Sequence, residues 1–264
     1  MNNLVDEVYD VITNGGVGFN FKETSLHTLK NTIEITGKIR FNQIYEEVQL
    51  QDEYSIQILF PLDFPNTIPI VRETSGRIKS SADYHNDKEG DGFCLGVPGE
   101  INNKIHNNPT FMYFITEIVV PFLYANTFHE RYNKYPWPTR EHCSKGIIEY
   151  YQNLFKFENE KQTQKFLLNI AFFKDSISGH NLCPCGNGKK FKDCHRNEYT
   201  NLIKYHSHRN IQKDVLQIIK DNIQTIKGDE RHDLSTFFKE TTYTKEWYRL
   251  YRYCLICLIK KLNQ

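Results

Sequence analysis

Three cysteines and a histidine fall within thirteen residues: Cys183-Pro184-Cys185, eight intervening residues, then Cys194-His195. Thiolate and imidazole are the donors that a closed, tetrahedral structural zinc site takes. A Cys-x-Cys pair cannot share one helical face, so a tight turn must carry it. Pro184 stiffens that turn, and Gly186 and Gly188 let the backbone fold around an ion. Four protein ligands leave no position open for water, so the expected zinc is structural rather than catalytic. His180 is the nearby substitute ligand. A second thiol, Cys94, lies in Asp91-Gly92-Phe93-Cys94-Leu95-Gly96. Its surroundings, residues 74–109, are dense in Gly, Asp, Asn and Pro and show little periodicity. Irregular stretches of this kind inside compact domains are often functional. A loop gives a thiol the access that a nucleophile needs. The alternative is an inert buried thiol, the usual state of free cysteine.

The elements that must position these residues follow from hydrophobic period. Residues 3–13 predict a short helix with Leu4, Val8 and Val11 on one side, broken by Gly15, Gly16 and Gly18. Residues 33–41 alternate, with Ile33, Ile35, Ile39 and Phe41 on one face, as a half-buried antiparallel strand does. Residues 44–50 and 54–60 predict two more strands, the latter with Tyr54, Ile56, Ile58 and Phe60 facing one way. Residues 68–73 predict a fourth. Helical period returns at 111–124 through Phe111, Phe114, Ile115, Ile118, Phe122 and Leu123, then at 141–156 and 161–173. Beyond the Cys/His segment, Ile211, Val215, Ile218, Ile219 and Ile226 recur at helical spacing, as do Trp247, Leu250, Tyr251, Cys254, Leu255 and Leu258.

The bulk numbers bound the class. The chain has 264 residues, and 33 Lys plus Arg against 32 Asp plus Glu leave a formal charge of +1. That balance gives no global reason for nucleic-acid or anionic-membrane binding. The N-terminus lacks the basic and apolar regions of a secretory signal, and no apolar run reaches the ~18 residues of a membrane span. A cytoplasmic location is the expectation. The seven cysteines are odd in number, which argues against a simple disulfide framework.

Residues 183–195, Cys-Pro-Cys-Gly-Asn-Gly-Lys-Lys-Phe-Lys-Asp-Cys-His, resemble the SEC-C zinc motif. This accessory module occurs at the tail of the SecA translocation ATPase and in many bacterial proteins. The resemblance implies zinc on Cys183, Cys185, Cys194 and His195 and a docking role, but no reaction.

A second resemblance covers about residues 1–196. Phe60-Pro61-Leu62-Asp63-Phe64-Pro65 and Pro69 close the strands. Tyr84-His85-Asn86 follows, and Cys94-Leu95 stands eight residues after Asn86. This layout resembles the ubiquitin-conjugating enzyme fold: a helix, a four-stranded meander, a proline-rich turn, a His-Pro-Asn tripeptide, and a catalytic Cys-Leu step. Here Tyr-His-Asn stands where the family has His-Pro-Asn. Trp137-Pro138-Thr139-Arg140-Glu141-His142 and Gly146-Ile147-Ile148-Glu149-Tyr150-Tyr151 are similar to a segment of bacterial relatives found in anti-phage operons, some of which carry a C-terminal SEC-C motif.

What the resemblance implies is an enzyme whose Cys94 receives the C-terminus of a ubiquitin-like or target protein as a thioester and passes it to an amine or thiol. Asn86 would stabilise the oxyanion of the tetrahedral intermediate, or else cap a turn. His85 would act as a base or be a surface residue. Asp91, by proximity in sequence, is a candidate to assist an incoming lysine. The expected partners are a ubiquitin-like or other protein with a processed C-terminus and an activating-type enzyme, with a nucleotide cyclase from the same operon as a further candidate. Neither membrane nor nucleic acid is expected. A non-catalytic adaptor on the same fold, docking through the zinc knuckle, is the alternative.

The expected architecture is α+β: a ubiquitin-conjugating-like domain over 1–160, a helix and SEC-C knuckle over 161–200, and a helical region over 201–264. Weaker signals are assigned to structure. Cys254 and Cys257 sit on an apolar helical stripe and read as core packing. Cys143 and His142 fall in a helical context. Lys189, Lys190 and Lys192 read as solvated charge. Tyr205, His206, His208 and Arg209 are suggestive in composition only.

Overall fold

The computed structural model describes residues 2–81, 84–86, 92–137, 143–172 and 177–226. Asp91, His142, Trp247, Cys254 and Cys257 lie outside these residues, and Cys143 is described in its backbone alone. The expected α+β arrangement is present: helix α1 (Asn2–Asn14) precedes a four-stranded antiparallel sheet in the order β1-β2-β3-β4.

The strands are divided differently from the expectation. The structure places β1 at Phe19–Thr28, β2 at Thr32–Tyr45, β3 at Val48–Pro61 and β4 at Ile70–Glu73. Residues 44–50 are therefore no separate strand; they form the tip of the β2–β3 hairpin, where Tyr45 pairs with Val48. The unexpected strand is β1. Its core-facing apolar residues are Phe19, Phe21 and Leu26, and a bulge between Lys22 and Ser25 puts Leu26 out of step with the two phenylalanines, so the alternation that marks a strand is lost. Gly37 sits opposite that bulge. A Cβ there would come within 2.9 Å of Thr24, which is why the small residue stands inside β2.

One face of the sheet is buried by Ile33, Ile35, Ile39, Phe41, Tyr54, Ile56, Ile58 and Phe60. Against it packs a long helix built of α3 (Phe111–Phe114), a π-helical segment (Ile115–Val119) and α4 (Val120–Tyr132). This helix is long and apolar enough by composition to cross a bilayer, against the expectation of no such run, but 67% of its most apolar window is buried in the fold, as in a core helix. The outer face of the sheet carries paired charges, among them Lys38–Glu23 at 2.7 Å and Arg40–Glu53 at 2.5 Å.

The irregular stretch contains a helix that its sequence hides. α2 (Pro98–Asn107) holds a glycine and three asparagines, poor helix formers, and its apolar signal is only Ile101 and Ile105. α2 is nonetheless the bridge between two buried clusters. Ile101 and Ile105 belong to the sheet-side core, whereas Val97 belongs to a second core with α5 (Cys143–Phe155), α6 (Glu160–Phe172), α7 (Arg196–Tyr205) and α8 (His208–Ile226). Gly99 touches this second core so closely that a Cβ would lie 2.5 Å from the Tyr150 ring.

A buried polar chain crosses the same junction. His206 is fully buried. Its Nε2–H donates to Asp214 Oδ2 at 2.8 Å, which also accepts from the Tyr151 hydroxyl at 2.7 Å. Nδ1 is then left to accept from the Asn102 amide at 2.8 Å. α2, α5, α8 and the α7–α8 turn thus share one hydrogen-bonded network.

Candidate metal centre and candidate thiol site

The segment 181–195 folds as a small closed loop. Leu182 and Lys190 form an antiparallel bridge, Cys183 N donates to Lys189 O at 2.8 Å, and Gly186 N donates back to Cys183 O at 3.1 Å. Gly186 and Gly188 adopt φ of +84° and +79°, the left-handed turn conformations that their lack of Cβ permits. A short 3-10 turn, Phe191–Asp193, then returns the chain so that Cys194 and His195 face the first two cysteines.

The four donor atoms of Cys183, Cys185, Cys194 and His195 all lie within 4.8 Å of one another. Cys183 Sγ is 3.3 Å and Cys194 Sγ 3.1 Å from His195 Nδ1, and Cys185 Sγ is 3.6 Å from Cys194 Sγ. A tetrahedron with ~2.3 Å metal–sulfur bonds has edges of about 3.8 Å; the three separations above are a little shorter and the outer bound of 4.8 Å is longer, so only small adjustments around a cation are required. His195 presents Nδ1 because its Nε2–H donates to the Phe155 carbonyl at 3.1 Å, the outer hydrogen bond that orients a ligand imidazole. Phe155, Phe157 and Phe166 ring the imidazole at 5.9, 4.9 and 5.4 Å between centroids. Asn187 Nδ2 donates to Cys194 Sγ at 3.0 Å.

The electrostatics of the histidine fit a ligand, and those of the thiols do so only with a cation beside them. Burial pushes the Cys183 and Cys185 thiols up and the His195 imidazole down, which keeps the histidine in its neutral, ligating form. A cation among the sulfurs would oppose the thiol shift by holding thiolates. His180 is exposed and stands outside the converging donors.

A family model for the SEC-C motif matches residues 181–197. The Cys/His cluster of this chain is an SEC-C motif. No curated protein and no solved structure matches the chain.

The second thiol lies in a different setting. Cys94 is exposed and outside any disulfide. The backbone brings the tripeptide to it: Asn86 and Phe93 form an antiparallel bridge, and Cys94 N donates to His85 O at 2.7 Å. Phe93 N donates to Val71 O at 2.8 Å, tying the loop to β4. Gly92 makes this approach at φ +95°, where a Cβ would lie 2.4 Å from the Val71 oxygen. Asn86 donates one amide hydrogen to Ile78 O at 3.0 Å. His85 is partly buried, with φ +50° and its ring edge-on to Tyr135 at 5.9 Å.

Sequence reasoning did not find two groups of long-range side-chain contacts, one of which supports the Cys94 loop. That one is Arg77 with its partners Asp52, Tyr54 and Glu130, whose separations of 23 to 53 residues leave no local signal. Also missed was the His206–Asp214 pair, which joins α2, α5 and α8. Its signal was present in the sequence: Asp214 is a carboxylate inside the apolar stripe of Ile211, Val215 and Ile218.

Proposed function

We propose that this protein is a ubiquitin-conjugating-like carrier acting through Cys94, with zinc as the structural ion of the SEC-C motif. The observation that carries the reading is the exposed Cys94, backbone-paired to His85-Asn86, in a loop that follows a helix and a four-stranded antiparallel meander. The Cys94 thiolate attacks the carbonyl of a C-terminus held as a thioester on an activating-type enzyme. The tetrahedral intermediate expels that enzyme's thiolate and leaves the acyl group on Cys94 Sγ. A deprotonated amine or a thiolate of the acceptor then attacks, and Cys94 departs as thiolate. The Asn86 amide has a second N–H beside the one given to Ile78, the type of donor that stabilises an oxyanion. The donor is a ubiquitin-like protein or a target with a processed C-terminus, and the setting is bacterial anti-phage defence in the cytoplasm.

Incubation with ATP, a cognate activating enzyme and its donor tests this. A thiol-sensitive conjugate on a non-reducing gel, absent in Cys94→Ala, is the expected result. Failure to form a thioester with any cognate partner overturns the reading.

A second reading is an adaptor. It draws on Asn86, whose amide holds the Ile78 carbonyl as a purely structural asparagine would, and on Leu182, 70% exposed on the knuckle as a docking residue would be. Under this reading Cys94→Ala leaves cellular function intact and Cys185→Ser abolishes it.

A further inference from the structure

Arg77 is the most heavily engaged side chain near the thiol loop, and nothing in the metal centre or the loop itself requires it. Its guanidinium makes a fork onto Asp52 of β3, Nη1 to Oδ1 at 2.9 Å and Nη2 to Oδ2 at 2.7 Å. Nη2 also reaches Glu130 of α4 at 2.5 Å, and Nη1 donates to the Glu53 carbonyl at 3.1 Å. The same group lies 4.3 Å over the Tyr54 ring. Asp52 is itself fixed by Thr127 Oγ1 at 2.9 Å. Burial pushes the Asp52 carboxyl up, but hydrogen bonds from Arg77, the Glu53 amide and Thr127 outweigh it and hold the group below its ordinary value. The carboxylate is thus ionised and the fork is charge-assisted.

The residue after Arg77 is the one that matters for the thiol. Ile78 is 6% exposed, anchored in the sheet-side core, and its carbonyl accepts the Asn86 amide. Asn86 bridges Phe93, and Cys94 N donates to the His85 carbonyl. An unbroken series of contacts therefore runs from β3 and α4 through Arg77 to the Asn86 amide and the Cys94 backbone.

We propose that Arg77 is the positioning residue of the Cys94 site. By bridging Asp52 and Glu130 it fixes the Ile78 carbonyl, which in turn sets the orientation of the Asn86 amide beside Cys94. The inference rests on the carrier reading for its catalytic consequence, but its structural half stands apart from it. A lysine replaces the function only in part, since a point charge makes no fork.

The test uses the full-length, metal-loaded protein and three variants: Arg77→Met, Asn86→Ala and the double variant. The Asn86 side-chain amide is followed by NMR, and transfer from the Cys94 thioester is timed. Asn86→Ala should slow transfer ~100-fold, and Arg77→Met about 10- to 100-fold, the cost of a misplaced group. The double variant should be no slower than Asn86→Ala alone, because both act through one amide. Arg77→Met should also move the Asn86 amide resonance to the position and fast exchange of a solvated amide. An unmoved resonance, or rate losses that multiply in the double variant, overturns the proposal. If Arg77→Met does not fold, Arg77→Lys and Glu130→Gln are read in the same way, each with a smaller displacement of the same resonance. If the wild type forms no thioester while Arg77→Met still moves the resonance, the carrier reading fails and the positioning of Asn86 by Arg77 stands.

Discussion

Two cysteine-bearing loops of this chain use opposite means to hold a thiol. In the knuckle, Cys183 and Cys185 are 3% and 5% exposed, the four donors converge, and the loop-closing hydrogen bonds join residues within 179–194. At Cys94 the thiol is exposed, and the loop is held from outside, by Val71, Ile78 and Ser81 and behind them Arg77. The knuckle closes largely on itself, and a cation there would offset its buried sulfurs. The Cys94 loop needs no ion, but its geometry belongs to the sheet and α4. The comparison predicts that the two loops fail in different ways.

The largest effect should come from the metal centre. Structural zinc in small domains contributes on the order of 10 kcal/mol of apparent folding free energy. His195 is also the residue that ties the knuckle to the Phe155 carbonyl of α5 and starts α7. Chelation, or Cys185→Ser, should therefore abolish amide-exchange protection across α5–α8 while protection in β2 and β3 survives. Metal analysis of the purified protein should give one zinc per chain. Absence of metal, or unchanged protection after chelation, would break the contrast between the loops.

A smaller effect should appear where the two regions meet. His206→Leu removes a hydrogen-bond partner from both Asp214 and Asn102 in a buried junction, where Asn102 Oδ1 has no partner among the described residues. Buried groups left unpaired cost about 1–3 kcal/mol each. Urea unfolding should show a loss in that range, with Tyr151→Phe nearer its lower end because His206 remains as a donor to Asp214. A loss under ~0.5 kcal/mol for His206→Leu would mean that the junction does not couple the two cores.

How much of this was legible follows the same division. The Cys/His cluster could be read because its residue types and spacing are local, and the structure brings the same four residues together. The sheet was legible in β2 and in the second half of β3, where Ile33 to Phe41 and Tyr54 to Phe60 alternate. It was not legible in β1, where the bulge and outward polar residues erase the period. α2 was hidden by Gly99 and its asparagines, since its stability comes from packing Ile101 and Ile105 rather than from propensity. The spacing of Asn86 to Cys94 marked the thiol loop, but Arg77 had no signature, because its partners Asp52 and Glu130 are brought to it only by the folded sheet and α4.

The smallest stability effect, and the sharpest form of the comparison, is expected at Cys94 itself. An exposed side chain away from caps and cores changes stability by no more than about 0.5 kcal/mol on substitution, so Cys94→Ser should unfold like the wild type, in contrast to Cys185→Ser. Peptide-level mass spectrometry after brief iodoacetamide treatment should find Cys94 alkylated first, with Cys183, Cys185 and Cys194 protected until metal is removed. The order follows from the geometry: access governs the first thiol, and thiolates held by a cation govern the other three. Equal labelling of all four in the metal-loaded protein would show that the knuckle is open. Protection of Cys94 would show that its loop closes over the thiol, and either result would remove the distinction on which the assignment of chemistry to Cys94 depends.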